Sequence, residues 1–452
     1  MTGSASTLVC SGCGWMPDGE DPYPFRCANA GLDDGDHVVA RVLDVRQVSW
    51  PEGEEENPFL KYRRLAHSYQ VAIARGMSDA DYVDLVERLD KEVAAVDGRG
   101  FAQTPFGRAP ELNGLLGFEP GGGVWVKDET GNVSGSHKAR HLMGLMIYLQ
   151  VAEGTGLVQD GDRSDLAIAS CGNAALAAAV VARATGRRLR VFVPTWADVA
   201  VLDRLRSLGA VIEVCDREPD VPGDPAYHAL QLAIASGTIP FTCQGNENGL
   251  AIEGGQTLGY EMVDALRGPG TTLDRMFVQV GGGALASAVM AAFSDARDLG
   301  AADRIPRLHA VQTLGGHPLK RAYDRVAERA AASSVDQALT YAASHRSEFM
   351  WPWEEEPRSI AHGILDDETY DWLAVVRGMM ATGGHPVVVD EDLLERANGV
   401  GRTATQIDVD HTGTSGLAGF LAMRDRGEVG PEERVAVLFT GAGRETREGT
   451  KR

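Results

Sequence analysis

Short apolar runs in this chain end again and again on a small or polar residue and give way to a helical pattern. Val124 to Lys127 reads as a strand and a helix follows from Lys138. Leu166 to Ser170 is a short apolar strand, then Ala174 to Thr185 a helix closed by Gly186. Leu189 to Val193 stops at Pro194, and Val199 to Leu208 is a helix stopped by Gly209. Val211 to Cys215, Met276 to Val280 with a helix from Ala284, Leu308 to Gln312 and Arg434 to Phe439 continue the alternation. Strands alternating with helices at this pitch predict a parallel, doubly wound α/β sheet. Ligands of such a sheet sit at the carboxyl ends of its strands.

The stretch Ser134-Gly135-Ser136-His137-Lys138-Ala139-Arg140 opens one of these helices. Leu142, Leu145, Met146 and Leu149 fall at i, i+3, i+4 and i+7, which predicts one apolar face. Ser134 and Ser136 are both good N-cap types. Lys138 is therefore expected in or near the first turn, where the helix dipole disfavours an ammonium. A lysine amine held neutral is what Schiff-base chemistry with a carbonyl compound needs. Alone, the stretch reads equally as a surface lysine on an amphipathic helix; its meaning depends on what lies downstream.

Val278-Gln279-Val280-Gly281-Gly282-Gly283-Ala284-Leu285 runs an apolar strand into three glycines and a helix. Backbone amides of such a turn approach and point at an anion, so Gly281, Gly282, Gly283 and Ala284 form a candidate phosphate cup. The run is neither a dinucleotide fingerprint nor a P-loop. Ser170-Cys171-Gly172-Asn173-Ala174 again ends a strand and opens a helix; its free amides suit a carboxylate, and Asn173 can donate to a phenolate-type oxygen or simply cap the helix. Cys171 reads as a small buried filler. Leu438-Phe439-Thr440-Gly441 sets a hydroxyl at a strand end. A Schiff-base lysine, an Asn loop, a phosphate cup and a terminal hydroxyl, in that order, describe a site for pyridoxal 5'-phosphate.

From Asn113 to Gly443, about three quarters of the chain, the sequence resembles the fold type II pyridoxal-phosphate enzymes, the superfamily of threonine synthase and the tryptophan synthase β subunit. The pattern is most like threonine-synthase-like proteins. The stretches that carry the resemblance are Gly135-Ser136-His137-Lys138, Ala169-Ser170-Cys171-Gly172-Asn173, Val191-Phe192-Val193-Pro194, Ile252-Glu253-Gly254-Gly255-Gln256-Thr257, Val280-Gly281-Gly282-Gly283 and Leu438-Phe439-Thr440-Gly441. The resemblance implies two doubly wound parallel-sheet domains with the cofactor in the cleft between them, and a homodimer. It implies that Lys138 holds the aldehyde, Asn173 the ring hydroxyl, the glycines and Ala284 the phosphate, and Thr440 the ring nitrogen. The loop Ser170, Cys171, Gly172, Asn173, Ala174 is the candidate holder of the substrate carboxylate. Threonine synthases usually carry Ser-Phe-Lys-Asp where this chain has Ser-His-Lys-Ala. His137 is similar instead to the tryptophan synthase β subunit, and supporting the phosphate and packing are equally open to it. Glu253 and Gln256 belong to a segment that borders the cofactor in this family; orienting the ring, relaying a proton and capping a helix all stand for Glu253.

The N-terminal residues 1–45 read as a zinc-ribbon-like segment. Cys10-Ser11-Gly12-Cys13-Gly14 is a ribbon knuckle, but the second knuckle has Cys27 alone. His37 lies beyond the usual spacing for a fourth ligand. A Cys3His zinc site on Cys10, Cys13 and Cys27 and a degenerate ribbon without metal both fit. Residues 46–112 form a helical and linker region: Tyr62, Leu65, Ala66, Tyr69 and Tyr82, Leu85, Val86, Leu89 recur at helical spacing, and Gly98 to Pro120 reads as a loop. The catalytic unit is expected over 113–450, with a small domain at roughly 140–240 inserted in the large one.

Composition narrows the partners. The formal net charge of −21 over 452 residues repels nucleic acid and anionic membranes, and the clusters Glu52–Glu56 and Glu354–Glu356 read as solvated loops. There is no run long enough to span a membrane and no export signal, and six cysteines are too few for a disulfide framework. A cytoplasmic enzyme is expected.

A neutral Thr440 at the ring nitrogen suits loss of a β-leaving group over transamination. The expected activity is that of a lyase or synthase acting on a small polar amino acid, by α-proton abstraction at Lys138 and β-elimination or β-replacement through an aminoacrylate. Threonine synthesis from O-phosphohomoserine is the second reading, and a non-catalytic amino-acid-binding paralogue the third.

Overall fold

The computed structural model of this protein describes residues 4–158, 164–217, 223–268 and 272–443. The end of the segment expected to reach 450 lies outside them. Twelve strands are described in chain order: β1 Ser6–Cys10, β2 Val39–Leu43, β3 Phe106–Arg108, β4 Gly123–Asp128, β5 Leu166–Ala169, β6 Leu189–Pro194, β7 Val211–Cys215, β8 Ile239–Pro240, β9 Arg275–Gln279, β10 Arg307–Thr313, β11 Val387–Val389 and β12 Arg434–Phe439.

They form three sheets among the described residues. β1 and β2 pair antiparallel as a ribbon, with Cys10 opposite Val39. A six-stranded sheet runs β11-β10-β9-β12-β4-β3, parallel except for the edge strand β3. A four-stranded parallel sheet runs β7-β6-β5-β8. The four-stranded sheet lies in sequence between β4 and β9 of the larger one. β9, Arg-Met-Phe-Val-Gln, is buried at every position, as expected of a central parallel strand covered on both faces. The expected α/β class with parallel sheets is what the chain adopts. β3 and the helix Pro110–Leu115 lie within the stretch expected to be loop. A three-residue edge strand holding a glycine carries too little alternation to be read from sequence.

The helix Lys138–Gly154 differs from its expected form. It has no single apolar stripe: Leu142, Met143, Leu145, Met146, Ile147 and Tyr148 are all buried, as are the polar Arg140 and His141. It is packed by the helix Ala251–Ala265, the helix Asn173–Ala184 and the helices His67–Ala74 and Asp79–Asp97, so no continuous polar face is left for water. Its N-cap position is His137, without a side-chain cap, so Ser134 and Ser136 do not serve as the expected caps.

Arg140, two residues after Lys138, is clamped from several elements. Its Nε donates to Glu129 Oε2 at 2.8 Å, Nη1 to Glu261 Oε1 at 2.7 Å and Thr257 Oγ1 at 3.0 Å, and Nη2 to Thr104 Oγ1 at 3.0 Å. Lys127 at the end of β4 donates to the Thr104 carbonyl at 2.8 Å and pairs with Glu261. All four charged groups are buried, two cations against two anions. Burial pushes the Glu129 carboxyl up, but Arg140 and Lys127 outweigh it and hold it at about 2.

The acidic clusters Glu54–Glu56 and Glu354–Glu356 are exposed, as expected of solvated loops. Among the described residues no helix is long and apolar enough to cross a membrane.

Candidate active site

Three neighbouring strands of the large sheet, β9, β12 and β4, run parallel, so their carboxyl ends share one edge. Each ends at a sequence-predicted residue: β9 leads to Gly281–Gly283, β12 to Thr440, and β4 through a nine-residue turn to Lys138. β5 of the small sheet ends at Ser170–Gly172 and the helix that begins with Asn173.

The Lys138 turn is stitched to the end of β12. His137 N donates to the Thr440 carbonyl at 3.2 Å, Ala442 N to the Gly135 carbonyl at 2.8 Å, and Ser136 bridges to Gly441. Ser134 takes a left-handed φ of +57° ahead of Gly135 at +71°. A serine in that region carries strain, and strain of this kind clusters at functional turns. Lys138 is partly exposed at the first position of its helix, as the sequence predicts.

His137 is buried, and burial first, then the neighbouring Lys138, pushes its imidazole well below the ordinary range. As a neutral ring its Nδ1 donates to the Thr440 carbonyl at 3.2 Å. That arrangement fits a residue locking Lys138 against β12 better than one offering positive charge to a phosphate.

Gly283 has φ of +98° and stands at the N-cap of the helix Ala284–Asp298, so an L side chain is strained there. At Gly281 a Cβ would come within 2.2 Å of Asp366 Oδ2 and 2.9 Å of the Ile364 Cα. The Gly282 N–H faces the Asp366 carboxyl, which burial pushes up to about 6 against the opposing pull of Lys138. Asp371, whose N–H donates to the Gly282 carbonyl at 2.9 Å, is pushed up to about 7 by burial. The cup thus already faces an anion from its own chain.

Asn173 is the first helical residue, not the cap; Gly172 holds that position. The close approach of Asn173 Nδ2 to Gly441, 2.8 Å from where a Cβ would stand, brings the small-sheet loop against the end of β12. Asn173 Oδ1 and Ser136 Oγ are buried with no hydrogen-bond partner among the described residues. Ser170, Cys171, Gly172 and Ala174 are partly exposed around it. Cys171 is partly exposed and not the buried filler expected, and the burial it has pushes its thiol up to about 12.

Thr440 is oriented by a residue that the sequence reading did not single out. Gln279 Nε2 donates to Thr440 Oγ1 at 2.6 Å and reaches the carbonyls of Gly413 and Leu438, each at 3.1 Å. Two carbonyls fix which end of this amide is nitrogen, because a flipped oxygen would face them both. Thr440 Oγ1 then accepts from Gln279 and keeps its own proton to donate. The signal was present: a glutamine in an otherwise apolar central strand is the informative kind of buried residue. Asp366 and Asp371 gave no local signal.

Glu253 lies away from this site. Its Oε2 accepts from His67 N at 2.8 Å and pairs with Arg41, capping the helix His67–Ala74, while Gln256 accepts from Arg41 at 2.9 Å. The capping alternative is the one realised. His362 is exposed on a short 3-10 turn. Cys10, Cys13 and Cys27 lie together, and His37 joins them despite its spacing.

The model of one protein family, described as pyridoxal-phosphate dependent enzyme, matches residues 99–441. A threonine synthase of Methanocaldococcus jannaschii is 24% identical over 346 residues, 75% of this chain and 74% of that protein. A cysteate synthase of Methanoculleus marisnigri is 27% identical over 285 residues, 62% of this chain and 60% of that protein. Among solved structures, a pyridoxal 5'-phosphate-dependent aspartate racemase superposes with a TM-score of 0.59 at 18% identity, covering 81% of this chain and 97% of its own. At that identity the superposition speaks for the fold alone.

Proposed function

The chain belongs to the pyridoxal-phosphate-dependent enzymes, and from that premise we propose that it removes the α-proton of a small polar amino acid and then expels or replaces the β-substituent. When bound, the cofactor supplies an aldehyde for an amine and a conjugated ring that takes up negative charge.

The residues present fit that group. Lys138 offers a primary amine at the shared edge of three strands, and Asn173 Oδ1 and Ser136 Oγ are buried atoms with no partner among the described residues. The Gly281–Gly283 cup leaves no room for a Cβ and turns an amide toward an anion. In this reading Lys138 attaches the cofactor, Asn173 donates to its ring hydroxyl, the amides of Gly281, Gly282, Gly283 and Ala284 hold the phosphate, and Thr440 faces the ring nitrogen. His137 positions Lys138. The free amides of Ser170 to Ala174 hold the substrate carboxylate.

Lys138 then moves the α-proton, a transfer of the kind that contributes about 10²–10⁴-fold. The Asn173 loop orients the substrate. The observation that carries the choice of reaction is the Gln279–Thr440 pair. A hydroxyl that accepts from Gln279 has its proton free for an unprotonated ring nitrogen. A carboxylate there would favour the protonated ring and transamination; a neutral donor favours loss of a β-group.

The test is a panel of amino acids bearing β-hydroxyl, β-acyloxy or γ-phosphate groups, with release of ammonia, keto acid and inorganic phosphate measured. Turnover of β-substituted substrates is expected. Phosphate release from the γ-phosphorylated amino acid, without β-elimination activity, would replace this proposal with threonine synthesis, which the name of the archaeal relative favours. The carboxyls of Asp366 and Asp371, which approach the cup glycines, oppose a second phosphate there.

Asp366 also makes a prediction about cofactor loading. Above about pH 6 its carboxylate opposes the incoming phosphate, and below that it is protonated and neutral. Asp366→Asn is expected to tighten pyridoxal-phosphate binding at pH 8 on the order of tenfold, the equivalent of about 1.4 kcal/mol. The ratio of variant to wild-type affinity, read by absorbance titration, is expected to approach unity below pH 6. A ratio independent of pH would remove Asp366 from the cup.

A further inference from the structure

The four residues Cys10, Cys13, Cys27 and His37 each present one ligand atom, and these atoms all lie within 4.8 Å of one another. Cys10 Sγ is 3.5 Å from His37 Nδ1, and Cys13 Sγ is 3.5 Å from Cys27 Sγ. Bonds of about 2.3 Å to sulfur and 2.0 Å to nitrogen in a tetrahedron separate the ligand atoms by roughly 3.5–3.8 Å. Two of the separations are thus already those of a closed tetrahedral site, and the others lie within 4.8 Å. A pair of thiols in ordinary packing has no need of a third sulfur and an imidazole nitrogen on the same point.

The surroundings are built for it as well. Gly14, after the second cysteine, has φ of +74° and closes the knuckle, with its N–H donating to the Cys10 carbonyl at 2.9 Å. At Gly12 a Cβ would come within 2.0 Å of the Asp36 carbonyl, so only glycine lets the knuckle meet the His37 loop. Asn29 N donates to Cys27 Sγ and Asn29 Nδ2 to Cys13 Sγ, both at 3.4 Å. His37 Nε2 donates to Asp33 Oδ1 at 2.8 Å, which leaves Nδ1 as the free lone pair aimed at the sulfurs. A carboxylate behind a ligating imidazole is the usual device for fixing its tautomer and raising its basicity.

His37 falls beyond the usual spacing because the ribbon rule counts residues within a second knuckle. Here the fourth ligand comes from the residues just ahead of β2, and the pairing of β1 with β2 carries it back to Cys10.

The same loop reaches the candidate active site. Asp36 is buried; it accepts from Trp372 Nε1 at 2.8 Å and pairs with Arg346 at 3.5 Å, while its N–H donates to the Ala343 carbonyl at 2.7 Å. Trp372, fully buried, follows Asp371, whose N–H donates to the Gly282 carbonyl in the glycine cup. Two buried hydrogen bonds, Trp372 to Asp36 and Asp371 to Gly282, joined through the adjacent residue pairs His37–Asp36 and Asp371–Trp372, thus connect the His37 loop to the cup.

We propose that Cys10, Cys13, Cys27 and His37 bind one Zn²⁺, and that this ion, through Asp36 and Trp372, braces the glycine cup. Three thiolates and one imidazole in a tetrahedron select zinc over calcium or magnesium, and four protein ligands leave no open position, so the ion is structural. The bracing half rests on the proposed cofactor site; the metal half does not.

The test uses the full chain. About one equivalent of zinc per chain is expected after purification with zinc present and dialysis. Cobalt exchanged into the site should give the strong visible bands of a tetrahedral thiolate centre. Asp33→Ala is expected to keep the fold and lower zinc affinity by about 10–100-fold. Less than a tenth of an equivalent of zinc, with no tetrahedral cobalt spectrum, would overturn the metal site whatever the cofactor does.

For the bracing, chelator-stripped and zinc-loaded protein are each titrated with pyridoxal phosphate. Stripping is expected to weaken cofactor binding by at least about fivefold, and saturating cofactor to strengthen zinc binding by the same factor. Trp372→Phe, which keeps all four ligands, should retain zinc and lose that coupling. Full zinc occupancy with equal cofactor affinity in both forms would leave the metal site and overturn the bracing. No cofactor binding in either form, with zinc present, would contradict the reading of the active site instead.

Discussion

Replacement of Lys138 by Ala is expected to lower turnover by at least about 10³-fold while the chain still folds. Proton transfer by a positioned side chain contributes about 10²–10⁴-fold, and Lys138 is in this account also the group that holds the cofactor. The substitution is structurally mild. Lys138 is partly exposed and opens its helix, and alanine is the best helix former. The buried ionic clamp nearby uses Arg140 and Lys127 and leaves Lys138 out. Steady-state turnover, with the urea midpoint as control, measures both parts. Partial rescue by an added primary amine is expected, since the missing group is an amine at a partly exposed position. Unchanged turnover would exclude Lys138 from the chemistry.

The largest expected stability effect lies two residues away. Arg140→Met removes one of two buried cations and leaves Glu129 and Glu261 facing Lys127 alone. Removing one partner of a buried, hydrogen-bonded ion pair costs about 3–5 kcal/mol, most of it from the charge left uncompensated. The loss is expected to exceed that of any single core methylene in the same helix, which is about 1 kcal/mol. The pH dependence has a definite sign. Glu129 is held near 2, below its ordinary value of about 4.3, so its stabilisation is complete above that value and is lost as pH falls toward 2. Urea unfolding of wild type should therefore show stability falling in that acid window, and Arg140→Met should flatten the fall. A variant within 1 kcal/mol of wild type at neutral pH would show that the clamp contributes little.

The candidate site residues proposed from the sequence share a position. Lys138, Asn173, Gly281 to Gly283 and Thr440 all stand where an apolar run stops and a helix or glycine turn begins, a change of period that is local and visible. The parallel α/β class followed from the same signal. What stayed hidden depends on residues far apart in the chain. Asp366 meets Gly281 across about 85 positions, and Asp36 meets Trp372 across 336. The helix Lys138–Gly154 was expected to show one apolar face, because periodicity registers Leu142, Leu145, Met146 and Leu149 but cannot register that Arg140 is neutralised inside the protein. For Glu253 the sequence left a role at the ring and a helix cap both open, and the partner that decides for the cap, His67, lies 186 positions away.

The expected roles of the site residues converge on one bond, between the cofactor and Lys138. The most direct measurement is the visible absorption of the purified protein with pyridoxal phosphate, followed by borohydride reduction and peptide mass mapping, for wild type and Lys138→Ala. A visible band in wild type that the variant lacks, with the reduced cofactor fixed on the peptide holding Lys138, is the predicted result. A cofactor fixed on another lysine, or none fixed at all, would contradict the account.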